Sequence, residues 1–110
     1  MAAKSSPPST VGQVRDVFPK LGELTDKVLF GDVWERKGLS KRDRSLATVT
    51  ALAVIGQTEQ LRGHLWRALD NGVTKEELIE LMTHLAFYAG WANVGSAALV
   101  AKRVFEERGV

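Results

Sequence analysis

Apolar side chains recur at helical spacing along most of this sequence, and residues that start or stop helices punctuate them. Strands would instead alternate their faces residue by residue. Ser9 or Thr10 is placed to cap a short helix ending near Phe18, because Pro19 disfavours helical geometry in the residue before it. Leu21, Leu24, Val28 and Leu29 continue at helical spacing towards Trp34. After a linker around Gly38, Ser40 is a good N-cap for a helix bearing Leu46, Val49, Leu52, Ala53 and Gly56. Thr58 can cap the next, with Leu61, Leu65, Ala68 and Leu69 on one side and Asn71-Gly72 as its stop. Thr74 and Glu77 form a capping-box pattern ahead of Leu78, Leu81, Met82, Leu85, Ala86 and Ala89. Gly90, Asn93, Gly95 and Ser96 read as a break before a last helix, which starts near Asn93 or Ser96 and runs to Arg108, with Gly109 as its stop. No segment reads as a convincing strand. An all-α bundle of about five to six helices is expected.

A chain of 110 residues, 45% of them hydrophobic, suits one domain over residues 11–110 behind a loose N-terminus of residues 1–10. It contains no cysteine, which removes disulfides, thiolate-bound metals, iron–sulfur clusters and thiol nucleophiles. The net charge is only +2, and its basic excess is local: residues 35–44 carry +3, whereas residues 45–110 carry −1. Nucleic-acid binding calls for a broader basic surface interleaved with aromatics, so no nucleic-acid partner is expected. Leu81 to Ala101 is a run of 21 residues free of acidic and basic side chains, yet the glycines and Asn93 in its middle suit two soluble helices. No membrane partner is expected, and a cytoplasmic location follows as the default. Small residues from Gly90 to Ala101 permit close helix approach, and Trp34, Trp66 and Trp91 are bulky anchors. Together they point to a homo-oligomer.

His64 and His84 are the side chains that titrate near neutrality. His64 lies on the Leu61/Leu65/Ala68 side of its helix. Glu80, His84 and Tyr88 follow one another by single turns and can line one face, where a carboxylate would raise the imidazole pKa and burial would lower it. Taken singly, each histidine fits a hydrogen-bonded core residue. Two of them on adjacent helices, both towards apolar sides, point to a shared pocket and to general acid chemistry. Metal-ligand spacings, a phosphate-cradling glycine loop and a nucleophile elbow are all missing, so neither a metal nor a nucleotide cofactor is expected.

Three segments carry a resemblance: FGDVWERKGLSKRDRSLATVTAL from Phe30 to Leu52, EQLRGHLWRALDNGVTKEEL from Glu59 to Leu78, and HLAFYAGWANVGSA from His84 to Ala97. Jointly they resemble the carboxymuconolactone decarboxylase family over roughly residues 25–108. The resemblance implies the alkylhydroperoxidase D-like all-helical fold, assembled as a trimer or hexamer with active sites near subunit contacts. One branch of that superfamily reduces peroxides with a CxxC pair followed by histidine. Gln57 and Gln60 occupy the matching positions before His64, so the thiol reaction is chemically excluded here.

The other branch, by the same resemblance, removes CO2 from a carboxylated lactone without a cofactor. Its substrate class is a small-molecule carboxylate or lactone. Carried over by position, His64 is the first catalytic candidate; His84, a candidate from its own spacing and a departure from the family pattern, adds a second proton donor. Arg44 of RDRSL matches a recurrent family arginine and is a candidate to pair a substrate carboxylate; a salt bridge at the helix start is its structural alternative. Tyr88, Glu59, Gln60 and Trp91 are the candidate substrate-binding residues. The chain departs from the family pattern at Gln60, where a carboxylate is usual, and at His84. A diverged, non-catalytic binder of small ligands is the alternative reading.

Overall fold

The computed structural model describes residues 6–110. Six α-helices account for most of it: α1 Thr10–Val14, α2 Pro19–Leu24, α3 Lys41–Val54, α4 Thr58–Asp70, α5 Lys75–Ala89 and α6 Trp91–Arg108. A π-helical turn over Thr25–Phe30 and a 3-10 turn over Val33–Glu35 link α2 to α3, and no strand occurs among the described residues. The fold is all-α.

Side-chain caps set three of the six helix starts. Ser9 Oγ accepts from the Gly12 amide and Ser40 Oγ from the Asp43 amide, each satisfying a donor that the helix itself leaves free. At α5 the capping box is complete: Thr74 and Glu77 exchange side-chain and backbone hydrogen bonds. Arg42 also donates to Glu77, tying the start of α3 to that of α5. Gln57, not Thr58, is the N-cap of α4, and it contributes no side-chain bond.

Two boundaries differ from the sequence reading. The first helix ends at Val14, four residues short of Phe18, and the Leu21–Trp34 stretch is α2 followed by two irregular turns instead of one helix. The expected break over Gly90–Ser96 is a single residue. Gly90 has φ +90°, a conformation that side-chain-bearing residues rarely adopt, and α6 begins immediately after it. Asn93 lies inside α6, where its Nδ2 donates to the carbonyls of Val54 and Ala89.

The core is built where α3, α4, α5 and α6 meet. Val49, Leu61, Leu65, Val73, Leu78 and Val104 are fully enclosed, with Trp66, Met82 and Phe105 packed around them. Burying a side chain of this size is worth about 1.5–3 kcal/mol, so these contacts dominate the fold. Ser45 is the one buried polar residue among those described, and its Oγ accepts from Asn71 Nδ2 at 3.0 Å. Arg108 closes the end of the bundle: it donates to Asp70 at 2.8 Å and lies over the Trp66 ring. Of the three tryptophans, Trp34 and Trp66 are core residues and Trp91 is exposed.

Candidate active site

An open cavity of about 630 Å³ lies along α4, between α6 and the N-terminal segments. That size falls within the range of small-molecule sites. Glu59, Gln60, Gly63, His64 and Arg67 form its α4 wall. Leu29 and Phe30 of the π-helical turn, Val100 and Arg103 of α6, and the stretch from Ser6 to Val11 enclose the rest.

Helical geometry explains the α4 wall. Leu61, Leu65 and Ala68 point into the core with no exposed surface. His64 sits beside that stripe and is half-buried. Its ring stacks on Trp34 with centroids 6.1 Å apart and an interplanar angle of 25°. The Arg67 guanidinium lies over Phe30, 4.1 Å from the ring centroid, and 5.6 Å from the ring of Trp34. Trp34 and Phe30 also pack on each other, with centroids 5.6 Å apart. Two aromatic rings thus hold an imidazole and a guanidinium side by side.

The electrostatics follow from this packing. Burial lowers the His64 pKa, and the Arg67 charge lowers it further, so the imidazole is neutral near pH 7. Burial also lowers the Arg67 pKa, with Asp70 partly opposing. His64 Nδ1 and Gln60 Oε1 are both buried without a hydrogen-bond partner. They belong to residues one helical turn apart on the same wall. Buried polar atoms are normally satisfied, and these two and Arg44 Nε, outside the cavity, are the exceptions among the described residues.

The structure brings His64, Glu59 and Gln60 to one cavity, and leaves the remaining sequence candidates outside it within a single chain. Arg44 donates through Nη2 to the Arg36 carbonyl at 3.2 Å, tying the segment after Trp34 to the start of α3. His84 does not share a pocket with His64 in the chain. Leu78, Met82 and Leu85 take the core side of α5, which turns His84 and Tyr88 outward, their rings 4.9 Å apart. Trp91 is likewise exposed and meets Phe87 edge-on at 5.3 Å. Arg67 and Arg103 are cavity residues that the sequence reading did not single out. No cluster of three or more metal-ligating side chains occurs among the described residues.

A sequence profile of the carboxymuconolactone decarboxylase family matches residues 19–103, more than three-quarters of the chain. The chain belongs to the carboxymuconolactone decarboxylase family. Among members with curated names, a 4-carboxymuconolactone decarboxylase of Acinetobacter baylyi is 42% identical over 81 residues, covering 74% of this chain and 60% of that protein. A nitrosuccinic acid decarboxylase of Metarhizium robertsii is 34% identical over 87 residues, covering 77% of this chain and 59% of its own length. An uncharacterized 15.0 kDa protein of Paracoccus denitrificans is 32% identical over 80 residues, covering 71% and 60%. This carboxymuconolactone decarboxylase family chain therefore spans about three-fifths of the length of each relative. The matched region carries His64 and the whole α4 wall, whereas Ser6 to Val11 precede it.

Proposed function

We propose that this protein is a cofactor-free carboxy-lyase acting on a small carboxylated lactone or related acid, with His64 as its proton donor. The observation that carries this reading is the placement of His64 on a cavity wall beside a cation, with Nδ1 unpartnered. Two relatives named as decarboxylases support the reaction class. In the reaction, the bond between the carboxylate carbon and the lactone carbon breaks and CO2 leaves. The electron pair passes through the unsaturated lactone to its carbonyl oxygen as an extended enolate. Protonated His64 then transfers its proton to carbon, and the imidazole is reprotonated from solvent. Stabilisation of the enolate by fixed positive charge is the largest expected contribution. Positioned proton transfer adds about 10²–10⁴-fold.

A second reading is a binder of small acids without turnover. Gln60 favours it, because an amide cannot act as the carboxylate usual at that family position and leaves His64 without an acidic partner one turn away on its own helix. Incubation with 4-carboxymuconolactone and a panel of small carboxylated lactones and dicarboxylates separates the two. Release of CO2 supports the lyase; saturable binding with no CO2 release supports the binder and contradicts the lyase.

Assembly into a homo-oligomer is part of the same proposal. Phe87, Tyr88 and Trp91 are 75%, 79% and 68% exposed, which is too much adjacent aromatic surface for a helix end that stays in water. Subunit contact there would bring His84, Tyr88 and Trp91 under cover.

A further inference from the structure

Three guanidinium groups line the cavity, and they are not equivalent. Arg62 donates to Glu107 Oε2 at 2.6 Å, so its charge is already paired. Arg103 of α6 is exposed, as Arg67 is, but rests on no aromatic ring among the described residues. Arg67 is held on the rings of Phe30 and Trp34, and no ion pair engages it among the described residues. The nearby carboxylate, Asp70, spends Oδ1 on Arg108 at 2.8 Å. An arginine stacked on aromatic rings keeps its charge and its planar fork of N–H donors, and that fork matches a carboxylate. The stacking also removes rotamer freedom in advance, so less is lost when an anion binds.

We propose that Arg67 takes the substrate carboxylate in this cavity and holds it beside His64, with Trp34 and Phe30 fixing the guanidinium in place. The inference rests on the lyase reading for the word substrate, and on the cavity alone for the carboxylate. It has a chemical consequence. Burial and, to a smaller degree, the Arg67 charge disfavour the imidazolium form of His64. A carboxylate seated on Arg67 offsets that charge and favours the imidazolium. Binding thereby shifts His64 towards the protonated form that the reaction needs, against the burial that remains. The other charged groups on the cavity wall are Glu59 and Arg62 of α4 and Arg103 of α6. Glu59 is itself an anion, Arg62 is paired and Arg103 has no aromatic ring to hold it, so none replaces Arg67 in this role.

The test uses succinate as the probe and its neutral diamide as the control, with the His64 ring proton followed by NMR across a pH titration. In the wild-type protein succinate is expected to bind and to raise the His64 pKa, while the diamide does neither. Arg67→Gln should weaken succinate binding at least ten-fold, about 1.4 kcal/mol, and abolish the response of His64. Arg67→Lys should retain part of both, and it also guards against a glutamine variant that fails to fold. Unchanged succinate binding in both Arg67 variants overturns the assignment, as does a wild-type protein that binds succinate no better than the diamide. The two readings fail separately. Arg67-dependent succinate binding with no CO2 release from any lactone removes the lyase and keeps Arg67 as the carboxylate anchor. CO2 release with KM unchanged in Arg67→Gln keeps the lyase and removes Arg67.

Discussion

His64 couples folding to pH because its environment disfavours the imidazolium. Burial is the larger cause and the Arg67 charge the smaller. Its folded pKa therefore lies below the unfolded value of about 6.5. The unfolded chain binds the extra proton first as pH falls, so the stability contributed by neutral His64 is present above that value and is lost below it. The urea midpoint should fall between about pH 7.5 and about pH 5, and His64→Gln should flatten that slope. The same group predicts a split in the rate profiles. A proton donor limits activity as pH rises through its pKa, and kcat/KM reports the free enzyme while kcat reports the bound complex. The alkaline limb of kcat should therefore lie at higher pH than that of kcat/KM, because a bound carboxylate raises the His64 pKa; coincident limbs would contradict the coupling. His64 was legible in the sequence because its helical spacing and its motif agree. Arg67 was not, since its neighbours Phe30 and Trp34 arrive from more than thirty residues away and make an ordinary helix arginine into a stacked one. Arg44 stands in a family motif, and within one chain its Nη2 meets the Arg36 carbonyl while its Nε is buried without a partner.

At the scale of elements, the caps were the most legible feature, because a cap is decided by four adjacent residues. Ser9, Ser40 and the Thr74/Glu77 box all form as their spacing predicts. Thr74→Ala should cost about 1 kcal/mol, read as a lowered denaturant midpoint with an unchanged slope. The α5–α6 junction is shorter than its glycines and Asn93 suggest, for a physical reason. One glycine with positive φ suffices to redirect the chain, and Asn93, which looks like a breaker, instead bonds the carbonyls of Val54 and Ala89. Within α4, Gly63 lines the cavity, and a Cβ built there meets nothing within 4 Å. Gly63→Ala should stabilise the helix by about 0.5–1 kcal/mol, whereas the bulkier Gly63→Phe should raise KM by filling the cavity. Unchanged KM in Gly63→Phe would place the substrate elsewhere.

For the whole molecule, the core of α3 to α6 is closed but the periphery is not. Phe18, Leu21, Leu24, Val28 and Leu29 leave apolar surface exposed along the N-terminal segments, as do Phe87, Tyr88 and Trp91 at the α5–α6 junction. Surface of this kind is normally covered in the working form of a protein. No helix among the described residues is long and apolar enough to cross a membrane, and a second copy of the chain is the partner expected from the family resemblance. Light scattering should give a mass several times that of one chain, and Trp91→Glu should reduce it. A monodisperse monomer at assay concentration would contradict that assembly. Sequence patterning reveals which residues are apolar but not which apolar face remains uncovered after folding, so His84, Tyr88 and Trp91 could be grouped in sequence without being assigned to a surface.

The most direct measurement of the central claim is kcat/KM for CO2 release from 4-carboxymuconolactone by the wild-type protein and by His64→Gln, compared at the same oligomeric state. The expected result is turnover by the wild type and a loss of at least ten-fold in the variant, about 1.4 kcal/mol of transition-state stabilisation. Equal kcat/KM in the two proteins would contradict His64 as the proton donor.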